Sequence, residues 1–372
     1  MNSLNMIEFS STKNHLKSLL CFLFICLILA CSDNEILIQL PFVTENSELA
    51  IKREVISLEK YEVFDLPNSA GVVSDIAVLD DLMVITDKSG DQVFHLVDLE
   101  SNEYLDSVID RGKGPEEISR TYTAVRSLNG LGVFDAEDQS INLFEKKDFI
   151  NRRIGEKISM IPSGEHLHCV LVSESNIYAN TFRSTPLMKL DRTGSFVEDY
   201  TALLTKGVLS ELPHIFGSQM SYTHIARLDD LIVVTFKYFP IIQILDLNDN
   251  SVEHLSISFD KNSIPSRMNQ HGIVEYGLVA GKVKRYFSRT YTTPNRVYML
   301  FDGDYYDPTN KDTWGLYGST ILSIDNNLSI TQYELPYQVT AFGVDDNDRY
   351  LYVHNNQESE GVYWKFALEN FD

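Results

Sequence analysis

The sequence predicts an all-β protein, a six-bladed β-propeller of four-stranded antiparallel blades. Two observations favour this fold. Segments of alternating apolar and polar residues, rich in Tyr, Phe and Val, are separated by Asp, Asn and Gly, and no long amphipathic helix interrupts them. This pattern is typical of half-buried strands joined by turns. The second observation is an internal repeat, which favours stacked blades over the alternative of two β-sandwich domains.

The internal repeat sets the number of blades. Residues 75–86, DIAVLDDLMVIT, align with residues 224–235, HIARLDDLIVVT, and eight of the twelve positions are identical. Each copy consists of a strand, an Asp-Asp turn and a second strand. The offset of 149 residues is about three times the usual blade period of roughly 40–50 residues. Weaker copies complete a set of six, near residues 125–144, 170–190, 296–300 and 349–353.

A propeller ring is expected to close by pairing strands from the two ends of the chain. Residues 55–66 precede the first full repeat, and residues 362–368 form the last strand-like segment. We therefore expect these two segments to lie side by side. The predicted organisation is a signal peptide over 1–30, a lipidated tether over 31–54 and one propeller domain over 55–372.

The N-terminus predicts export. Lys13 and Lys17 precede an apolar run, 19–30, that ends at Cys31. The run is shorter than the roughly 20 residues of a membrane-spanning helix and is typical of a cleaved signal. Residues 28–31, ILAC, resemble a bacterial lipobox, which implies acylation of Cys31 and a membrane as partner. The following SDNE resembles the acidic export tag of Bacteroides-type bacteria and implies an outer-membrane anchor, with exposure at the cell surface as one arrangement.

Charge and cysteine content restrict the function classes. The formal net charge is −22, and such a field repels nucleic acid, so no nucleic-acid partner is expected. Once the signal is removed and Cys31 is acylated, Cys169 is the remaining thiol. No intramolecular disulfide is therefore expected. Cys169 lies in an apolar strand-like run, which indicates a buried, inert side chain.

A glycine-rich loop after the first blade gives the family resemblance. In residues 110–117, DRGKGPEE, the positions Gly112, Gly114, Pro115 and Glu117 match a Gly-x-Gly-Pro-Gly-Glu loop, with glutamate in place of the third glycine. Together with the lipobox and the six repeats, this resembles the six-bladed β-propeller lipoproteins of Bacteroides, a TolB-like and NHL-like group. The resemblance implies a fold and a location, because most members have no assigned activity.

The same loop carries two candidate ligand-binding cations. Its sequence does not meet the requirements of a P-loop or of a dinucleotide fingerprint. One reading is a tight interblade turn, in which glycine adopts conformations closed to other residues. The other is that Arg111 and Lys113 meet an anionic ligand.

A long insertion in the fifth repeat supplies further candidates. Residues 302–317 contain Tyr305, Tyr306 and Trp314 among several carboxylates, which suits contact with a glycan or a peptide. An ordinary long hairpin is the alternative. The aspartates of this loop depart from the spacing of a calcium loop. Several carboxylates in one loop can still bind calcium incidentally, so calcium is the one cofactor considered. A His-Leu-His sequence at 166–168 lacks further ligands, and no metal site is predicted.

Asp75 and His224 open the innermost strands of the two repeat copies. They are candidates for a pair that lines the central channel, or they are turn residues at strand starts. The sequence contains neither a Gly-x-Ser-x-Gly nor a His-Glu-x-x-His motif, and no catalytic residue is predicted. The expected function is non-catalytic binding of a ligand or protein partner. The alternatives are a metal-dependent hydrolase or lyase acting in the channel, and a structural subunit of an outer-membrane assembly.

Overall fold

The structure is a computed structural model of the 372-residue chain. It describes residues 35–39, 54–58, 61–65, 71–119, 121–127, 130–135, 137–159, 167–173, 175–181, 187–204, 223–256, 263–268, 274–276, 283–305, 317–355 and 362–368.

The described residues are almost entirely β-structure. The strands are, in chain order, β1 (Glu35–Gln39), β2 (Glu54–Ser57), β3 (Tyr61–Asp65), β4 (Val73–Leu79), β5 (Leu82–Asp87), β6 (Gln92–Asp98), β7 (Glu103–Asp110), β8 (Thr121–Ser127), β9 (Gly130–Asp135), β10 (Ser140–Phe144), β11 (Glu156–Ser159), β12 (Leu167–Val172), β13 (Asn176–Thr181), β14 (Met188–Asp191), β15 (Phe196–Asp199), β16 (Thr223–Leu228), β17 (Leu231–Phe236), β18 (Phe239–Asp246), β19 (Val252–Ser256), β20 (Ser263–Met268), β21 (Val274–Tyr276), β22 (Phe287–Thr292), β23 (Arg296–Phe301), β24 (Gly318–Asp325), β25 (Ile330–Val339), β26 (Ala341–Val344), β27 (Tyr350–His354) and β28 (Val362–Ala367). Two short helices accompany them, α1 (Lys146–Ile150) and α2 (Thr201–Leu204).

Six antiparallel sheets form the blades. Blades 1 to 4 are the meanders β4–β7, β8–β11, β12–β15 and β16–β19, and blade 5 contains β22–β25. Blade 6 contains β26, β27, β28 and β3. The first strands of neighbouring blades pack side by side around the whole ring, from β4 through β8, β12, β16, β22 and β26 back to β4. The predicted six-bladed propeller is confirmed.

The ring closes with an N-terminal strand. β3 pairs antiparallel with β28, and Trp364 lies opposite Val63. This is the predicted contact between 55–66 and 362–368. One feature was not predicted: β2 adds a fifth strand to blade 5, parallel to β25. A parallel edge strand covers backbone groups that an open sheet edge would leave unpaired.

The two repeat copies have the same register. Ile76 faces Ile85 across blade 1, and Ile225 faces Val234 across blade 4. Each turn contains an aspartate in the left-handed region, with φ of 57° at Asp80. The equivalent turn residue in blade 4 has φ of 50°. Asp tolerates this conformation better than most residues, which explains the Asp-Asp turn in both copies.

Hydrophobic contacts between blades hold the ring together. The described residues contain six buried apolar clusters, one for each interface between neighbouring blades. Between blades 1 and 2, for example, Phe94 contacts Phe144 and Phe149, with ring centroids 5.2 Å from each. Since each sheet buries both faces against its neighbours, the blades depend on one another for their core.

Two further strands lie outside the ring of blades. β1, within the segment expected to be a tether, pairs with β20, and β20 pairs with β21 in the segment between blades 4 and 5. Among the described residues, no helix has the length and apolar character needed to cross a membrane. The signal peptide and Cys31 lie outside the described residues, and the predicted domain boundaries stay predictions.

Candidate functional site

The candidate site lies at one end of the ring. In an antiparallel blade, the start of the first strand lies beside the end of the second. Asp75 of β4 is therefore opposite Thr86, and Arg289 of β22 is opposite Leu300. The loops that join second strands to third strands, and each blade to the next, open at this same end. We call it the mouth face.

Asp75 is one of the predicted channel residues, and it pairs across the ring. It follows a bulge in β4, an irregularity that can re-aim a side chain. Its Oδ1 accepts a hydrogen bond from Nη1 of Arg289, on the first strand of blade 5. Oδ2 of Asp75 is buried and has no hydrogen-bond partner among the described residues. Asp75 therefore lines the mouth as one half of an ion pair whose other half was not predicted.

His224 occupies the equivalent position in blade 4. It is buried, with 7% of its surface exposed, and lies opposite Thr235. Blades 1 and 4 stand on opposite sides of a six-bladed ring, so His224 and Asp75 lie on first strands at opposite sides of the ring. The predicted equivalence of the two positions holds in the register.

Two lysines that sequence reasoning missed lie beside these strands. Lys88 directly follows β5, and Lys237 directly follows β17. Extending the 75–86 and 224–235 alignment by two residues places a lysine in both copies. That extension is the signal that could have identified them. The repeat therefore places one lysine at the mouth face in each of two opposite blades.

The surroundings of both ammonium groups are unfavourable for positive charge. Burial lowers the pKa of Lys237 to about 8, with Arg285 lowering it further and Asp302 opposing the shift. Smaller lowering contributions come from Arg289 and Lys88. The pKa of Lys88 is also lowered, first by the protein around it and then by Arg289, while a nearby carboxylate opposes the shift. The cations are thus close enough to repel one another.

A second arginine reaches the mouth from the strand connection before β22. Nε of Arg285 lies 2.9 Å from Oδ2 of Asp302, and both side chains are almost completely buried. Burial raises the pKa of Asp302 to about 7, against the opposing effect of Arg285. Asp302 begins the long insertion of blade 5, so this ion pair ties the insertion to the mouth face.

Arg111 and Lys113 also lie at this end of the ring, with other contacts. Arg111 donates to the main-chain oxygens of Gly90 and Asp87, at 2.8 and 2.6 Å. The side chain of Lys113 is 80% exposed, and its Nζ lies 3.0 Å from a Glu137 carboxylate oxygen. Through these contacts, Arg111 stabilises the loop after β5.

The glycine-rich loop encloses its own carboxylate. Oε2 of Glu117 accepts a hydrogen bond from the Gly114 amide at 2.7 Å. A Cβ atom at Gly112 would lie 1.9 Å from that same oxygen. A side chain at 112 would displace the Glu117 carboxylate from this position, so glycine at 112 allows the contact with the Gly114 amide. The φ of Gly112 lies outside the left-handed region, so the expected turn conformation special to glycine is not the reason for glycine here.

The insertion in blade 5 projects from the mouth face. Tyr305 is 51% exposed, and Nζ of Lys284 lies 5.3 Å from the centroid of its ring. Tyr306 and Trp314 lie outside the described residues, as do the later aspartates of the loop. The one described ligand candidate of this loop is thus an exposed aromatic ring beside a cation.

A buried polar network supports the mouth in blade 1. Nε2 of His95 lies 3.2 Å from Oδ2 of Asp87, and Nδ1 lies 2.9 Å from Oγ of Ser107. Asp87 also accepts hydrogen bonds from the amides of Gly71, Ser89 and Gly90. Burial would raise the pKa of Asp87, but its hydrogen bonds outweigh that effect and lower it.

The described residues include side chains of metal-ligating types and one cysteine thiol. Among the described residues, no three His, Cys, Asp or Glu side chains converge to hold a metal ion. Cys169 is buried, as expected, and its desolvation raises the pKa of the thiol to about 12. A thiol in that state is a poor nucleophile.

Comparison with known proteins identifies the family. The model of TolB-like six-blade propellers matches residues 72–347. The chain belongs to the TolB-like six-bladed propeller family. This confirms the family resemblance seen in the sequence. No curated protein matches this TolB-like propeller significantly.

Two solved structures show the same fold at low sequence identity. A member of the DUF4221 family from Bacteroides vulgatus superposes with a TM-score of 0.54 at 10% identity, covering 83% of this chain and 96% of that one. A Bacteroides fragilis protein described as exported gives a TM-score of 0.51 at 12% identity, with coverage of 85% and 99%. At such identities, the similarity establishes the fold of the TolB-like propeller and leaves its ligand open.

Proposed function

We propose that this TolB-like propeller is an exported, lipid-anchored binding protein that performs no chemistry and holds a ligand or protein partner at its mouth face. One observation carries the proposal. The described residues singled out in the sequence, Asp75, Arg111, Lys113, His224 and Tyr305, all belong to strand ends or loops at this one end of the ring. Residues from blades 1, 4 and 5 thus converge on one surface.

The exposed ring of Tyr305 supports a glycan or peptide as the ligand class. An aromatic face can stack on a sugar ring or pack on a peptide, and binding residues are found on loops more often than on strands. Export is supported by the apolar run that ends at Cys31 and by the structural neighbour described as exported.

The binding half of the proposal is tested with purified polysaccharides. Binding of the full-length protein in detergent to immobilised neutral and uronic-acid-containing polysaccharides is measured for wild type, Tyr305→Ala and Phe196→Ala. Phe196 is the matched control, because it is an aromatic residue 64% exposed on the outer strand of blade 3. Selective loss in Tyr305→Ala is expected. Equal binding by all three proteins would contradict a role for the mouth face.

Anchoring and the absence of catalysis are tested separately. Cys31→Ser is expected to abolish fatty-acid labelling and to release the protein from the membrane fraction. Hydrolysis of a lactone, ester or glycan that is lost in Asp75→Asn or His224→Gln would replace the binding proposal with the hydrolase alternative.

A further inference from the structure

Two lysines and two arginines come together at the centre of the mouth face. We call Lys88, Lys237, Arg285 and Arg289 the basic cluster. Lys88 and Lys237 arrive from opposite blades at equivalent positions, while Arg289 comes from the first strand of blade 5 and Arg285 from the connection before it. The main-chain oxygen of Lys237 accepts a hydrogen bond at 2.7 Å from the amide of Tyr286, the residue after Arg285. Arg289 bonds to Asp75, which lies opposite Thr86, two residues before Lys88. In keeping with this placement, Arg289 lowers the pKa of both lysines, and Arg285 and Lys88 lower that of Lys237. The four cations therefore lie near one another.

Arg289 is held in a fixed orientation with donors to spare. Its Nε donates to the main-chain oxygen of Thr340 at 2.7 Å, and Nη1 donates to Asp75. A guanidinium has five N–H donors, and the remaining three have no protein acceptor within the described chain. The side chain is 14% exposed, so water or a small ligand can reach it.

Lys88 adds a second uncommitted donor. The residue is exposed, and its ammonium group has no hydrogen-bond or ion-pair partner in the part of the chain that the structure describes. The two carboxylates beside the cluster each pair with one of its arginines, Asp75 with Arg289 and Asp302 with Arg285. Local positive charge therefore exceeds what these two carboxylates balance.

This concentration of cations stands out against the charge of the whole protein. With a formal net charge of −22, exposed lysines and arginines are expected to pair with abundant carboxylates, as Lys113 does with Glu137. The overall negative field repels large polyanions. A small or singly charged anionic group experiences less of that repulsion and can reach the four cations at short range.

We propose that the basic cluster binds an oxyanion: a carboxylate, sulfate or phosphate group, free or carried on a small molecule or sugar. The Arg289 fork suits two oxygens of one such group, and the lysines from blades 1 and 4 would contact it from opposite sides. This proposal rests on the proposed function, because both place the bound ligand at the mouth face. Its test does not depend on the anchor, on Tyr305 or on any polysaccharide.

The test is a calorimetric titration of the full-length protein in detergent with three separate probes: inorganic phosphate, inorganic sulfate and glucuronate. Glucose serves as the uncharged comparison for glucuronate. Saturable binding of at least one anion, with one ion per chain, is expected. Binding of glucuronate alone would assign the site to a carboxylate on a sugar, and binding of phosphate or sulfate would assign it to a tetrahedral group.

Matched variants locate the binding. Lys88→Gln removes one ammonium of the cluster and is expected to weaken binding by about tenfold or more, as for the loss of one charge-assisted contact. Lys113→Gln removes an exposed ammonium on the same face outside the cluster, and affinity is expected to change less than about twofold. The proposal is overturned if none of the three anions binds saturably, or if both variants weaken binding equally. If the wild-type protein binds an anion at this cluster but binds none of the polysaccharides, only the proposed function is contradicted.

Discussion

Blades 1 and 4 have the same backbone plan and stabilise it in different ways. Their first two strands pair in the same register, and both turns contain an aspartate with positive φ. The residue after the shared threonine of the second strand is Asp87 in blade 1 and Phe236 in blade 4. The residue facing this strand from the third strand is His95 in blade 1 and Gln243 in blade 4.

The difference shows which parts of the repeat are set by the fold and which are interchangeable. In blade 1, the side chains of Asp87 and His95 form a buried hydrogen-bonded pair. In blade 4, Phe236 is fully buried and packs edge-on against Phe239, with ring centroids 6.0 Å apart. A polar network and an aromatic cluster thus support the same strand end. The lysine that follows is kept in both blades.

The largest expected effect comes from breaking the aromatic support of blade 4. Phe236→Ala removes a completely buried ring and should lower the free energy of unfolding by about 3–5 kcal/mol. Urea denaturation measures this loss, which should vary little with pH. Phe196→Ala is the control, because its exposed ring should contribute almost nothing. A loss for Phe236→Ala no larger than the control would contradict the importance of this cluster.

Breaking the polar support of blade 1 should have the next largest effect. Asp87→Asn removes the charge from a carboxylate that accepts three amide hydrogen bonds and one from His95, and should cost about 2–4 kcal/mol. The folded-state pKa of Asp87 is lowered, so its stabilising effect is present at neutral pH. It is lost as the pH falls from the ordinary aspartate value of about 3.9 through the lowered pKa.

The pH dependence distinguishes the two blades. The stability difference between wild type and Asp87→Asn, measured by urea denaturation, should shrink below about pH 4, while that of Phe236→Ala should persist. Asp98→Asn, which alters a partly exposed carboxylate in the same blade that also accepts amide hydrogen bonds, should show a smaller loss. A pH-independent deficit for Asp87→Asn would show that the charge is unimportant.

The shared lysine sharpens the comparison further. Because the pKa of Lys237 is lowered to about 8, its charge is a cost that is fully present below that value and disappears above the ordinary lysine pKa of about 10.4. Lys237→Met should therefore gain stability relative to wild type as the pH falls from about 10 to about 7, by on the order of 1 kcal/mol. Differential scanning calorimetry measures the shift in Tm. The more exposed Lys88→Met should show a smaller trend of the same sign, and the reverse trend would contradict crowding of the cations.

The smallest effect is expected at the turns, where the two blades agree. Asp80→Gly and Asp229→Gly should each change stability by less than about 0.5 kcal/mol, because glycine adopts positive φ without strain. Asp80→Val should cost about 1–2 kcal/mol, because a β-branched residue is strained there. Thermal unfolding checks both turns, and a large effect of glycine in only one blade would show that the turns are not equivalent.

Much of the fold was predictable because its causes are local. Alternating apolar residues and Asp-Asp turns specify the hairpins, and the repeat offset specifies three blades between copies. The closing pair, β3 with β28, followed from the need of a ring to close. The parallel strand β2 was not predictable, since nothing in residues 54–57 distinguishes a parallel edge partner from an ordinary strand.

The site was predictable only in part. Asp75 and His224 could be singled out as candidates because they belong to the repeat, and Lys88 and Lys237 were not considered because the alignment stopped at the threonine two residues earlier. The partnership of Arg289 with Asp75 joins positions more than two hundred residues apart. No local sequence pattern predicts this ion pair, because it forms only when the ring brings blade 5 near blade 1.

The strand that closes blade 6 joins an early part of the chain to one of its last segments, which has a consequence for folding. Residues 61–65 are synthesised early, but their antiparallel partner β28 is among the last segments of the chain. Contacts between such distant segments form slowly, because a long loop must close first. The first five blades can therefore assemble as an open arc, and the ring is completed only when the C-terminal strand arrives. A chain that crosses a membrane from its N-terminus onward would keep this arc open until transport is finished, so the last step of folding would coincide with arrival.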